Sequence, residues 1–222
     1  MNDFTSEKIL KPISGYPVIF FMFVFAVIGV AISISMGTPG WLGFAGFVLV
    51  ILGKGLVVIN PNSSNLLLLF GAYQGSIRES GLFWVNPFYK RIIVSLRARN
   101  FESEKEKVND KLGNPVMISV ILVWKVKDTY KASFAVDDYT NFIRIQTDSA
   151  VRKLAATYAY DHFEDEKATV TLSTDFDEVN TTLEREIDER LGIAGIEVVE
   201  ARITHLAYAP EIAHSMLRRQ QA

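Results

Sequence analysis

The sequence predicts an α+β domain carried behind a hydrophobic helical hairpin. Three observations lead there. Residues 15–35 contain no charged side chain, and short strand-like runs separated by turn formers fill residues 56–128. Two amphipathic helical stripes then precede a single returning strand at 195–208. Strands first, then helices, then a closing strand is the order of an α+β fold, with helices collected on one face of an antiparallel sheet.

The chain has 222 residues, a formal net charge of −2 and no Cys, and is 49% hydrophobic and 22% charged. That length suits one soluble domain with a smaller part attached. The near-neutral balance lacks the basic excess that nucleic-acid binding uses. Without Cys, disulfides, thiol nucleophiles, thiolate metal sites and iron–sulfur clusters are excluded.

Residues 1–13 read as a short tail ahead of a membrane segment at 14–53. "GYPVIFFMFVFAVIGVAISIS", Gly15 to Ser35, is 21 residues long. As a helix it spans about 31 Å, enough for a hydrocarbon core of roughly 30 Å. A signal peptide would have a shorter apolar region, a small-residue cleavage site and a polar sequence after it. Here "MGTPG" leads instead into a second apolar run from Trp41. The reading is a tight hairpin of helices at about 15–35 and 40–53. The second run is short for a span. It either crosses fully, with Lys54 snorkelling to the interface, or enters as a re-entrant wedge. Lys8, Lys11 and Lys54 flank the hairpin while its turn has no Lys or Arg, which places both ends in the cytoplasm. Gly29 and Ser33 form a small-xxx-small pair suited to close helix approach.

From Lys54 to Ala209 a globular domain is expected. "GLVVINPNSSNLLLLF" holds two apolar runs parted by a cluster of turn formers. Residues 91–101 and 116–128 look like longer strands. In the second, Val116, Ile118, Val120, Leu122, Trp124 and Val126 share one face, and the charged stretch "ESEKEKVNDK" between the two reads as solvated strand and loop. Over 138–160, Tyr139, Phe142, Ile143, Ala150, Leu154 and Tyr158 recur at helical spacing. Over 173–192, Phe176, Val179, Leu183, Ile187 and Leu191 form one stripe, with Ser173, Thr174 and Asp175 as N-cap candidates and Gly192 as the stop. In the closing strand Val199, Ala201 and Ile203 alternate with Val198, Glu200 and Arg202. Pro210 opens a final helix over 210–222, where Ile212, Met216 and Leu217 begin an apolar stripe. An open stripe calls for a partner helix, so these three are the expected oligomer-interface residues.

No residue pattern points to catalysis. None of His162, His205 and His214 sits in H-E-x-x-H, and there is no G-x-S-x-G, P-loop or G-x-G-x-x-G. His162 lies among Asp161, Glu164, Asp165 and Glu166, a set better explained as a solvated loop than as a metal site. No catalytic, cofactor or metal residues are expected, and a membrane-bound hydrolase built on a converging acid pair has no positive support.

"ESGLFWVNPFYKR", residues 79–91, is the segment most open to a functional reading. Leu82 to Val85 are consecutive apolar residues, without the alternation of a half-buried strand. Trp and Tyr favour the headgroup level, and Lys90 and Arg91 suit anionic lipid. The structural alternative is an edge strand buried on both faces.

The order of motifs resembles the SPFH domain shared by stomatins, prohibitins and flotillins. "GLVVINPNSSNLLLLFGAYQGSIRESGLFWVNPF" is similar to its start, with the G-L-x-x-x-x-P-F segment falling on Gly81, Leu82, Phe83, Trp84, Val85, Asn86, Pro87 and Phe88. "NPVMISVILVWKVKDTYKASFAVDDY" resembles its central strand and the short helix that follows. "AVRKLAATY" looks like one of its helices, and "LGIAGIEVVEARITHLAYAPEIAHSM" like its closing strand and first coiled-coil turns. The nearest likeness is to bacterial stomatin-like proteins with a double hydrophobic anchor. The resemblance implies a non-enzymatic, membrane-anchored oligomeric scaffold that organises lipid microdomains and modulates membrane proteins. The alternative is a dedicated adaptor for one membrane protease or channel. Membrane lipid and further copies of the chain are the implied partners, with no cofactor and no nucleic acid. A bacterial inner membrane, with the soluble domain in the cytoplasm, is the implied setting. The family's long coiled coil does not follow Ala222, so either the chain is a piece of a longer protein or assembly relies on the globular domain. The resemblance also turns residues 79–91 toward lipid, with Leu82, Phe83, Trp84, Val85, Phe88 and Tyr89 as expected membrane contacts.

Overall fold

With no charge between Gly15 and Met36, the backbone of that stretch must satisfy its own hydrogen bonds wherever water is scarce, and it forms one helix, α1 (Gly15–Met36). Pro17 falls in the first turn, where its missing N–H costs nothing. Gly37, at φ 64°, ends the helix in the left-handed conformation that glycine adopts without steric penalty. The second helix, α2 (Gly40–Lys54), runs against it. Gly29 of α1 is buried at the contact, where a Cβ would come 3.0 Å from that of Ala45, and Ser33 is buried one turn further on.

These helices belong to the first of two compact units, Met1–Leu96 and Arg97–Ala222, in a computed structural model that describes residues 7–37, 40–161 and 170–213. Five further strands follow the hairpin in the first unit: β2 (Leu56–Ile59), β3 (Ser63–Leu69), β4 (Ala72–Ile77), β5 (Gly81–Trp84) and β6 (Lys90–Ser95). A two-residue strand, β1 (Ile13–Ser14), precedes α1. They make two antiparallel three-stranded sheets, ordered β1-β5-β2 and β4-β3-β6. Val57, Ile59, Leu67, Ile77 and Val85 form the core between them, with Leu10, Phe83 and Tyr89 packed against it.

Leu10 alters the reading of the tail. The Leu10 N–H donates to the Ser76 carbonyl at 2.9 Å, and the Ser76 N–H donates to the Lys8 carbonyl at 2.8 Å. The Arg78 guanidinium pairs with Glu7. Gly75, at φ 151°, lies under Leu10, where a Cβ would clash with the leucine side chain. Residues 7–14 are therefore docked on β4 and β5, and the expected tail at 1–13 is in this part an element of the fold.

The second unit is built on β9 (Pro115–Val126), whose period-2 residues Val116, Ile118, Val120, Leu122, Trp124 and Val126 are all buried. It pairs with β10 (Ile196–Tyr208) on one side, and with β7 (Arg99–Glu102) and β8 (Glu106–Asn109) in succession on the other, all antiparallel. Two longer helices, α4 (Tyr139–Thr157) and α5 (Phe176–Leu191), follow a short α3 (Thr129–Phe134). Their buried stripes are Ile143, Thr147, Ala150, Val151 and Leu154 on α4, and Val179, Leu183, Ile187 and Leu191 on α5. Asp128 and Asp138 cap α3 and α4 through their carboxylates. This is the α+β architecture expected.

Several local expectations change. Residues 91–101 are not one strand: β6 ends at Ser95, the Leu96 N–H turns to the Asn62 carbonyl at 2.9 Å, and β7 begins in the other unit at Arg99. Asp175 holds the N-cap position of α5, but its carboxylate accepts from the Thr171 N–H at 2.9 Å and not from the helix. Gly192 continues into a 3-10 turn (Gly192–Ala194), and the reversal falls at Gly195, φ 68°, packed against the Asp128 carbonyl. In β10 a bulge between Val198 and Glu200 buries Val198 and Ala201 and leaves Val199 48% exposed, so the expected alternation breaks there. Residues 210–213 open a helical turn after Pro210.

Candidate membrane-contact and assembly surfaces

α1 is the one helix among the described residues that is long and apolar enough to cross a membrane. α2, at 15 residues, spans about 22 Å. Large apolar side chains point outward around both, among them Phe20, Phe21, Phe23, Phe44 and Phe47. Along the hairpin an apolar groove of about 560 Å³ runs between Val18, Phe25, Val48 and Leu52, with Trp84 and Ile13 at its sheet end.

The sheet grips both ends of this hairpin. β5 lies between β1, which leads into α1, and β2, which leaves α2, so that Trp84 stands opposite Ile13 on one side and Leu56 on the other. A helix C-terminus leaves its last carbonyls without partners. Here the Leu52 carbonyl accepts from the Trp84 indole Nε1–H at 2.9 Å and from the Gly55 N–H at 3.0 Å. The Lys54 carbonyl accepts from the Arg91 guanidinium, which also donates to the Leu56 carbonyl at 3.2 Å. A cation at this end also complements the helix dipole. Gly55 is required for the fit: a Cβ there would fall on the Trp84 ring and 2.5 Å from the Val85 carbonyl oxygen.

This geometry divides the expected membrane contacts. Val85 is 6% exposed in the core, and Phe83 and Tyr89 pack on that core. Lipid contact is corrected for Val85, whose side chain is taken up by the core. β5 is the central strand of its sheet, with the core on one face and α1 on the other, so Leu82 and Phe83 are each partly covered. Leu82 lies over Gly15 of α1, and Trp84 lines the hairpin groove. Phe88, 67% exposed in the turn before β6, points outward, with its N–H held by Asn86 Oδ1 at 3.0 Å. Sequence reasoning passed over Phe70, the most exposed large apolar residue of the chain's described part, and the roles of Gly55 and Arg91. Only spatial partners distant in sequence give those residues their meaning.

Of the expected oligomer-interface residues, Ile212 is half-buried and donates its N–H to the Ala209 carbonyl at 3.0 Å. Met216 and Leu217 lie outside the described residues, as do His162 and Glu164 to Glu166. Among the described residues no group of three or more His, Asp or Glu is arranged to hold a metal ion.

One acid pair does converge in the second unit, in a polar cleft of about 200 Å³ beside Phe101. Asp148 is held above the usual carboxylate range by burial first and by Glu106 second, with Arg144 and Arg152 opposing. Glu106 is itself clasped by the Arg152 guanidinium, Nε donating at 3.1 Å. The Arg152–Glu106 pair ties α4 to β8.

Comparison with known proteins agrees with the fold. The profile of the SPFH domain / Band 7 family matches residues 57–222. A stomatin homolog of Pyrococcus horikoshii is 24% identical over 177 residues, covering 79% of this chain and 63% of the relative. A stomatin homolog of Pyrococcus abyssi is also 24% identical over 177 residues, covering 79% and 62%. An uncharacterized protein of Methanothermobacter thermautotrophicus is 26% identical over 175 residues, covering 78% and 52%. The chain thus spans between half and two thirds of the length of these relatives. With strands, helices and closing strand in the family's order and three quarters of its length matched, the chain belongs to the SPFH domain / Band 7 family.

Proposed function

We propose that this chain is a membrane-anchored, non-enzymatic scaffold subunit, which assembles with further copies of itself and orders the lipid and proteins around it. The observation that carries this reading is the grip of β5 on both ends of the hairpin. An anchor joined by a floppy linker only localises a domain. Here the sheet caps the helix, so the orientation of the first unit is fixed relative to the hairpin, as an array of regularly spaced copies on a bilayer needs. The flanking Lys8, Lys11 and Lys54 support insertion from the cytoplasmic face.

The test is mass measurement of the full chain extracted into native-membrane nanodiscs. High-order homo-oligomers are expected, and a uniform monomer overturns the scaffold. Crosslinking in the same membranes distinguishes the adaptor reading, in which one protease or channel is recovered in fixed proportion.

A further inference from the structure

The turn between β3 and β4 carries two penalties at one residue. Its central residues, Phe70 and Gly71, have φ of 49° and 89°, the pair of positive values a type I′ turn requires, and they are closed by the Leu69–Ala72 pair. Asn or Gly usually fills the first position, because a bulky side chain is strained at positive φ. The Phe70 ring is also 91% exposed. Both costs are offset only if the ring leaves water.

Strand register shows where the tip points. β2 leaves α2 at Lys54 and runs away from it to Ile59, and β3 then returns, with Leu67 opposite Arg91 and Leu68 opposite Lys90. Arg91 reaches the carbonyls of Lys54 and Leu56. By Leu69 the chain has therefore come back to the level of the α2 C-terminus, and Phe70 projects beyond it. The 86–89 turn reaches the same end, since the Val85 N–H donates to the Gly55 carbonyl at 2.9 Å. Phe70, Phe88 and Lys90 thus flank the place where the hairpin emerges. The charge distribution matches: residues 1–96 carry six Lys and Arg against three Asp and Glu, while residues 97–222 carry seventeen against twenty-two.

We propose that the Phe70 tip inserts into the headgroup–acyl boundary of the anionic leaflet from which the hairpin enters, as a second, peripheral attachment. This rests on the anchoring proposed above. Aromatic rings are favoured at that depth, and Lys54 and Lys90 meet lipid phosphates beside it. Because α1 already holds the unit at the surface, insertion is intramolecular and one ring suffices.

The absence of Cys makes the test direct. Full-length Phe70→Cys and Ser80→Cys chains carry a nitroxide label and are reconstituted in vesicles of phosphatidylglycerol and phosphatidylcholine. Ser80 is exposed and lies at the opposite end of the sheet, next to Gly81, which pairs with Ile59. The label at 70 is expected to be severalfold less accessible to a water-soluble nickel chelate than that at 80, and more accessible to oxygen. The contrast should shrink in pure phosphatidylcholine. Equal accessibility at the two sites, with the protein retained on vesicles through an alkaline carbonate wash, overturns the proposal. So does a label at 70 shielded from both reagents, since that places the tip against protein. Loss of the chain to the wash defeats the anchoring reading first and this one with it. Hydrogen exchange in the unaltered chain supplies a check free of labels: protection of 69–72 that is greater in vesicles containing phosphatidylglycerol than in pure phosphatidylcholine supports insertion, and equal exchange in the two overturns it.

Discussion

The Trp84 indole donates its one hydrogen bond to the Leu52 carbonyl, 32 residues earlier and in the last turn of a helix that belongs to the hairpin. The first sheet and the hairpin are thereby one mechanical piece. Trp84→Phe keeps an aromatic side chain but removes the donor and part of the ring, at an expected cost of about 1–3 kcal/mol. Gly55→Ala drives a methyl against the Val85 carbonyl and the Trp84 ring, and backbone on one side leaves little room to relax. A loss of about 1–3 kcal/mol is expected. Thermal unfolding of the full chain in mild detergent checks both, and an alanine variant melting with the wild type would show that the fit is looser than described.

Asp110 organises the turn between β8 and β9 from a nearly buried position, 4% exposed. One oxygen accepts from the N–H groups of Leu112 at 2.9 Å and Asn114 at 2.8 Å, and the other accepts from the Tyr160 N–H at 3.2 Å. Asp110→Ala strands these donors and should cost about 3 kcal/mol, as loss of a charged acceptor does. Asp110→Asn keeps an acceptor for the turn and should cost less. Denaturant titration that ranks the two variants equal would count against this role.

Two carboxylates give the second unit opposite pH responses. Lys153 first and Arg190 second hold Glu186 below the usual range, with Lys153 Nζ 2.6 Å from one oxygen. A folded pKa below the unfolded one lends stability that is complete above the unfolded value and lost as pH falls through the folded value. The pair is largely exposed, so Glu186→Gln should cost only a few tenths of a kcal/mol at neutral pH, and nothing in acid. Asp148 is raised by burial and by Glu106, so its contribution is fully present below its unfolded pKa and declines as pH rises through the folded one. Asp148→Asn should accordingly raise the melting temperature at neutral pH and lose that gain on acidification. Melting curves of both variants from acid to neutral pH would expose an error of sign.

Patterns with a strict local period were legible in the sequence. The face of β9 from Val116 to Val126 and the α5 stripe from Val179 to Leu191 are buried as their spacing indicates. What escaped were features set by partners far along the chain. Leu82 to Val85 look like a surface because no alternation is visible, yet Leu82 lies over Gly15 of α1, and Phe83 and Val85 pack with Val57, Ile59 and Leu67. The break at Leu96 depends on the Asn62 carbonyl, and the exposure of Val199 depends on a bulge that only pairing with β9 reveals. Of the expected lipid contacts, Phe88 is exposed where a surface role needs it, while Val85 serves the core.

The central place of β5 also dictates an order of events during synthesis. Residues 81–84 leave the ribosome after both helices of the hairpin, and at roughly 5–20 residues per second the delay is a matter of seconds. The helices must therefore form and pair while the strand that will clasp their ends does not yet exist. Once it arrives and zips between β1 and β2, the entry and exit of the hairpin are stitched side by side, and the two helices can no longer part at that end.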